Sequence, residues 1–195
     1  MAYGSAEKVK LGSCRVYYFD KNDSGAPDVF TSGWGSDLAG YSLGYTQGGV
    51  SVSFFTESQE VEVDQEAVPV QERITKQTIE VTAPLIETSL ETFAKLIPAA
   101  TLTTDTTSAN KKLELSGDVV DDINVMAQTL VLVPNVDDTG APVIDEDVVV
   151  LHRALPNPNF EYSYEKDSAR VYEVTFKALK DSAGNFVTFG DPSIV

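Results

Sequence analysis

The chain reads as mainly β: an antiparallel β-sandwich or barrel-like domain flanked by one α-helix. Three observations lead there. Many short segments alternate apolar and polar side chains with a period of two. A single segment, at residues 88–97, combines helical spacing with a start signal and a stop signal. No strand–helix–strand alternation runs through the chain, which argues against a doubly wound parallel sheet. At 195 residues the chain can bury a core without staples and reads as one domain, 1–195.

Charge narrows the function. The formal net charge is -16 and the isoelectric point about 4.2. A surface for duplex DNA needs Lys and Arg to neutralise phosphates, so this balance argues against one. It disfavours anionic lipid for the same reason. A protein that must lie beside DNA without sticking to it remains compatible. Cys14 is the single cysteine, so no internal disulfide forms. Residues 1–10 (MAYGSAEKVK) lack the apolar stretch of a signal peptide and read as a flexible polar arm. No apolar run is long enough to span a membrane.

Each element follows from its pattern. Residues 11–19 (LGSCRVYYF) are aromatic and β-branched, a strand. Residues 20–40 carry turn formers throughout and read as an extended loop or insertion. Phe30 and Trp34 lie within it; such aromatics anchor a loop to its own core or dock on a partner. Gln47, Gly48 and Gly49 read as a turn. Val50, Val52 and Phe54 then alternate with Ser51 and Ser53, a half-buried strand. Residues 74–83 alternate again, and Pro84, lacking an N–H, should close that ladder. In the helix Thr88 and Glu91 form a capping box. Leu90, Phe93, Ala94 and Ile97 share its apolar face, Leu96 lies at the edge, and Pro98 stops it. Residues 99–110 are Thr-rich, a loop or edge hairpin containing Thr103 and Thr104. Strands follow at 113–115, 129–133, 148–155, 170–179 and 185–189, with turns near Gly140 and at 181–184.

Catalytic and metal chemistry finds little footing. His152, the single histidine, sits in an apolar run without a nucleophile elbow and reads as structural. Cys14 reads as an inert, half-buried thiol. No zinc spacing occurs, and no glycine-rich loop leads into a phosphate-binding helix. Asp20, Asn22, Ser24 and Gly25 match the start of an EF-hand loop, yet Thr31 stands where Glu is needed, so a turn is expected. Asp137, Asp138, Asp145, Glu146 and Asp147 read as a solvated loop rather than a calcium site. The expectation is no enzyme, no cofactor and no metal.

The acidic run at 60–66 asks for more. Glu60, Glu62, Asp64 and Glu66 fall on one face of an extended chain, about 6.5–7 Å apart. They repel one another, so water must be abundant there. A solvated strand face is one reading. The other is a ring of identical copies whose channel the stripe lines, so that a passing polyanion does not adhere. A ring of head-to-tail copies leaves two faces free to stack. The N-terminal arm, the loop with Phe30 and Trp34, and the segment with Thr103 and Thr104 are candidate inter-subunit or inter-ring contacts.

The stretch LGYTQGGVSVSF (43–54), followed by EVEVDQEAVPVQERITKQTIEVTAPLIETSLETFAKLI (60–97), resembles the major tail tube proteins of long-tailed bacteriophages. The shared features are Leu43–Gly44 before Gly48–Gly49–Val50, then Val63–Asp64–Gln65, Pro69–Val70 and the strand reaching Pro84–Leu85 and Glu87 ahead of the helix. The resemblance implies the tail tube fold and a structural virion protein. Its rings, hexameric in the family, would stack into a hollow tube through which DNA passes on ejection without specific binding. It also implies tape-measure, tail terminator and baseplate or tip proteins as partners, assembly in the host bacterial cytoplasm, and a place in the phage tail. The loop at 20–40 is longer than the family's short turn. Two other readings fit an acidic all-β chain: a capsid decoration or adhesin module, and a carboxylate-based hydrolase with a raised-pKa acid in a cleft.

Overall fold

The computed structural model describes residues 13–22, 36–61, 71–87, 89–97, 100–117, 122–134, 145–157, 169–192 and 194. The fold is mainly β, with one large antiparallel sheet and one α-helix among these residues. The strands are β1 (Cys14–Phe19), β2 (Ser51–Val61), β3 (Gln71–Leu85), β4 (Ala100–Thr104), β5 (Lys111–Leu115), β6 (Gln128–Pro134), β7 (Val149–Pro156), β8 (Tyr172–Leu179) and β9 (Val187–Phe189). The helix α1 spans Leu90–Leu96. Neighbours in the main sheet run β1-β6-β7-β8-β3-β2, with β9 added to β7. The expected arm at 1–10 lies outside the described residues, as do Phe30 and Trp34.

Two isolated bridges close this sheet. Ser42 pairs with Tyr17 on β1, and Thr46 pairs with Leu85 on β3. Leu43 N–H donates to Val16 O at 2.9 Å, and Gln47 N–H donates to Pro84 O at 2.9 Å. The stretch 42–47 therefore spans from β1 to β3 and makes the sheet barrel-like. Closure removes edges that would otherwise be left unpaired. Pro84 does not end β3; it sits inside the ladder opposite Glu173. Its carbonyl bonds Gln47, and its missing N–H costs one bond on that side.

The period-two pattern fills the interior. Val16 and Tyr18 face Leu132 and Leu130 across the β1–β6 ladder. Val81, Ala83 and Leu85 face Phe176, Val174 and Tyr172. All ten are buried. Burying each large apolar side chain is worth about 1.5–3 kcal/mol. Tyr18 carries its hydroxyl into this core, 2.5 Å from Met126 O and 3.3 Å from Ala154 O. A second cluster lies on the outside of β1, β6 and β7: Tyr17, Phe19, Val131, Val133, Val148 and Val150, joined by Leu38. Leu38 comes from a short 3-10 helix, Ser36–Tyr41, whose Tyr41 ring lies 5.4 Å from that of Phe19. The end of the expected loop at 20–40 is thus part of the packing.

Helix α1 packs on the core through Phe93, whose ring lies 5.1 Å from that of Tyr172, and through Leu96, which is fully buried. Leu96 is at the centre of the buried face, not at its edge. The N-cap is Ser89, whose hydroxyl accepts from Thr92 N–H at 3.1 Å. The cap is one residue later than expected, because the serine oxygen reaches the N3 amide. Glu91 does not close a capping box; it pairs with Lys111 on β5. The hairpin β4–β5 realises the edge hairpin read from the Thr-rich segment, and Leu113 packs on the core.

Candidate functional site: the projecting arm

The pair β2 and β3 outgrows the barrel. Only Glu80–Leu85 of β3 pairs with β8, whereas β2 follows β3 all the way to Gln71. The nine residues from Gln71 to Ile79 form half of a two-stranded arm about 30 Å long, at about 3.3 Å per residue. Gln47, Gly48 and Gly49 do not reverse the chain here. Thr46 and Ser51 both pair with β3, so the segment is a kink in one long edge. Positive φ at Gly48 and Gly49, 95° and 91°, supplies the kink.

The arm is exposed on both faces. Val52 and Phe54 stand opposite Val81 and Ile79, so they share the face that continues the barrel interior. Even so, Val52 is 40% exposed, Phe54 57% and Ile74 57%. Phe55, 56% exposed, lies opposite Thr78 on the other face. The expected half-buried strand at 50–54 is therefore mostly exposed: the alternation is present, but nothing in the described chain covers it. A lone two-stranded ribbon is marginal in water. One exposed ion pair, Lys76 Nζ to Glu57 Oε1 at 2.6 Å, adds little by itself.

Among the acidic run, Glu60 is described. It lies on β2 directly opposite Glu72 of β3, and both are exposed. Like charges so placed destabilise the pair. Ser58 Oγ donates to Glu72. Glu62, Asp64 and Glu66 lie outside the described residues. Thr103 and Thr104 are exposed on β4, opposite Lys112 and Lys111, and are not adjacent in the sheet to the arm.

At its base the arm splits from the barrel. Beyond the Glu80–Lys177 pair, β8 leaves β3 but keeps its pairing with β7, Ala178 opposite Ala154 and Leu179 opposite Arg153. The resulting fork is a groove of about 450 Å³. Lys76, Lys177 and Lys180 line it beside Leu179 and Phe186. Sequence reading missed it, because Lys76 is distant in the chain from Lys177 and Lys180 and only the topology gathers them.

The remaining candidates resolve locally. His152 sits at a bulge of β7, its Nε2 2.9 Å from Thr188 Oγ1 and its Nδ1 3.6 Å from Asp181 Oδ2. Burial lowers its pKa, with Asp181 opposing and Lys21 assisting. Asp181 feels burial first, which raises its pKa. The N–H groups of Asn185 and Ala183, with His152 and Lys21, outweigh that and leave it below the ordinary value. The group ties β9 and the 181–185 turn to β7. Burial pushes the Cys14 thiol up to about 11, which suppresses its thiolate. Asn22 N–H donates to Asp20 Oδ1 at 2.9 Å, the Asp/Asn turn expected there. Among the described residues no three His, Cys, Asp or Glu side chains gather to hold a metal. Nor is any described helix long and apolar enough to cross a membrane. Compared with known proteins, the chain matches no family model and no curated protein sequence.

Proposed function

We propose that this chain is a self-assembling structural subunit of a phage tail tube, forming stacked, hexameric rings around a channel for DNA. The observation that carries the reading is the arm. It presents large apolar side chains on both faces and strand edges that no described residue pairs. A single copy gains nothing from such an arm, whereas burying it between copies is worth about 1.5–3 kcal/mol per large side chain. The resemblance of the segment 43–97 to tail tube proteins gives the geometry of assembly. The charge of -16 suits a wall that DNA passes without adhering. The tape-measure protein, tail terminator and baseplate or tip proteins are the partners proposed with it.

Electron microscopy of the concentrated protein tests this. Hollow tubes of uniform width are expected. The double variant Phe54→Ser/Ile74→Ser should stay monomeric with a melting curve close to native, because neither residue is in the core. Monomers under every condition, including with the tape-measure protein present, would overturn the reading.

A further inference from the structure

The two faces of the arm differ in chemistry, and one residue makes them differ. From Ser51 to Glu57 the ladder pairs β2 with β3 one to one, with Phe54 opposite Ile79 and Glu57 opposite Lys76. The next pair is Ser58 with Ile74, so Thr75 has no partner across the ladder. It is the extra residue of a β-bulge. Its hydroxyl donates to Glu57 O at 3.2 Å, which fastens the bulge to the opposite strand. Uninterrupted alternation down β3 from Val81 and Ile79 would put Arg73 on the face of Phe54, and Ile74 on the face of Lys76. The bulge reverses both. Ile74, opposite Ser58, comes to the face of Phe54, and Arg73, opposite Gln59, goes to the other face.

The sorted faces are unlike. One carries Val52, Phe54, Thr56 and Ser58 on β2 opposite Val81, Ile79, Gln77 and Ile74 on β3. No charged side chain interrupts that row. The other pairs Ser53 with Glu80, Phe55 with Thr78, Glu57 with Lys76 and Gln59 with Arg73. Val52 and Ile74 lie about 20 Å apart along the ribbon, and both are exposed, as is Phe54 between them. A chain of net charge -16 approaches its own copy most readily through a face with no charge to desolvate. The row is two strands wide, roughly 10 Å by 20 Å, well under the about 800 Å² per partner of a stable pair. It suits one contact among several in a ring rather than an isolated dimer.

We infer that the Thr75 bulge sorts the arm into a contact face and a free face, and that a second copy covers the face of Val52, Phe54 and Ile74. The face of Phe55, Glu57, Lys76 and Arg73 stays in water. The inference rests on the self-assembly reading above and supplies it with one face and the residue that builds that face. Thr75 is a positioning residue: it acts through the side to which Ile74 and Arg73 are turned.

Two changes remove the bulge with opposite effects on the faces. Deleting Thr75 leaves Glu57 opposite Lys76 and Ser58 opposite Ile74, so each side chain keeps its face. Inserting one serine between Glu57 and Ser58 gives Thr75 a partner, so Ile74 and Arg73 change sides. Both changes lie beyond Glu80, where the pairing of β3 with β8 ends, and melting curves should match the native protein. Sedimentation and electron microscopy read assembly. The deletion should assemble at the native concentration. The insertion should need about tenfold more protein or higher, the effect of leaving one large apolar side chain unburied. Phe54→Ser should show a similar loss and Phe55→Ser none, and this pair decides the matter even where the insertion disturbs the arm. Native assembly by the insertion or by Phe54→Ser, a loss in the deletion equal to that of the insertion, or equal losses from the two phenylalanines overturns the contact face and leaves the tube reading standing. Failure of the native chain to assemble overturns both.

Discussion

Gly44 shows how one residue closes the barrel. Its φ is +96°, and a Cβ there would lie 2.7 Å from Glu87 Cβ and 2.1 Å from Glu87 Oε2. Glu87 has little freedom to move, since its carbonyl accepts the Tyr172 hydroxyl and Ile86 beside it is bonded to Tyr45. Gly44→Ala should therefore cost about 1–3 kcal/mol through backbone strain and the clash. Gly40→Ala, with nothing within 4 Å of the added methyl, should be close to neutral. Urea unfolding of the two variants checks this; equal midpoints would contradict it. The glycine was legible in the motif at 43–50. Its reason was not, because Glu87 reaches it only when 42–47 crosses to β3.

Among the elements, β7 and β9 depend on His152. The folded-state pKa of this residue lies below the ordinary 6.5, so protons bind the unfolded chain more readily. Stability from the neutral ring is complete above about 6.5 and is lost as pH falls through the folded value. The native protein should lose thermal stability relative to His152→Gln between pH 7.5 and pH 5.5. Parallel melting temperatures across that range would remove the histidine as the cause. The arm makes a different point about elements. Its alternation at 50–54 was plain in the sequence, and so was the strand at 74–83. Period two reports which side chains share a face and carries no information about whether another layer lies over it.

At the scale of the whole molecule, the fate of the acidic run separates two roles. Triple reversal, Glu60→Lys with Glu62→Lys and Asp64→Lys, should leave the fold intact and, if the run lines the channel, slow DNA passage through tubes of normal width. Loss of tube assembly would instead make the run a contact between copies, and normal passage would remove it from the channel wall. Net charge frames both outcomes. Copies at -16 each repel at long range, so assembly should strengthen as salt screens that repulsion.

Local chemistry alone determined the mainly β class, the single helix, nearly every strand and the acidity. Each rests on side-chain periodicity, turn residues or titratable groups that act within a few positions of the chain. The cap at Ser89, the place of Pro84 inside its ladder, the closure by 42–47 and the lysine fork were decided by the tertiary structure. These depend on which strands become neighbours. Strand pairing is set by burial across the whole core, so it brings Lys76 beside Lys180 without leaving a mark in either residue's own surroundings.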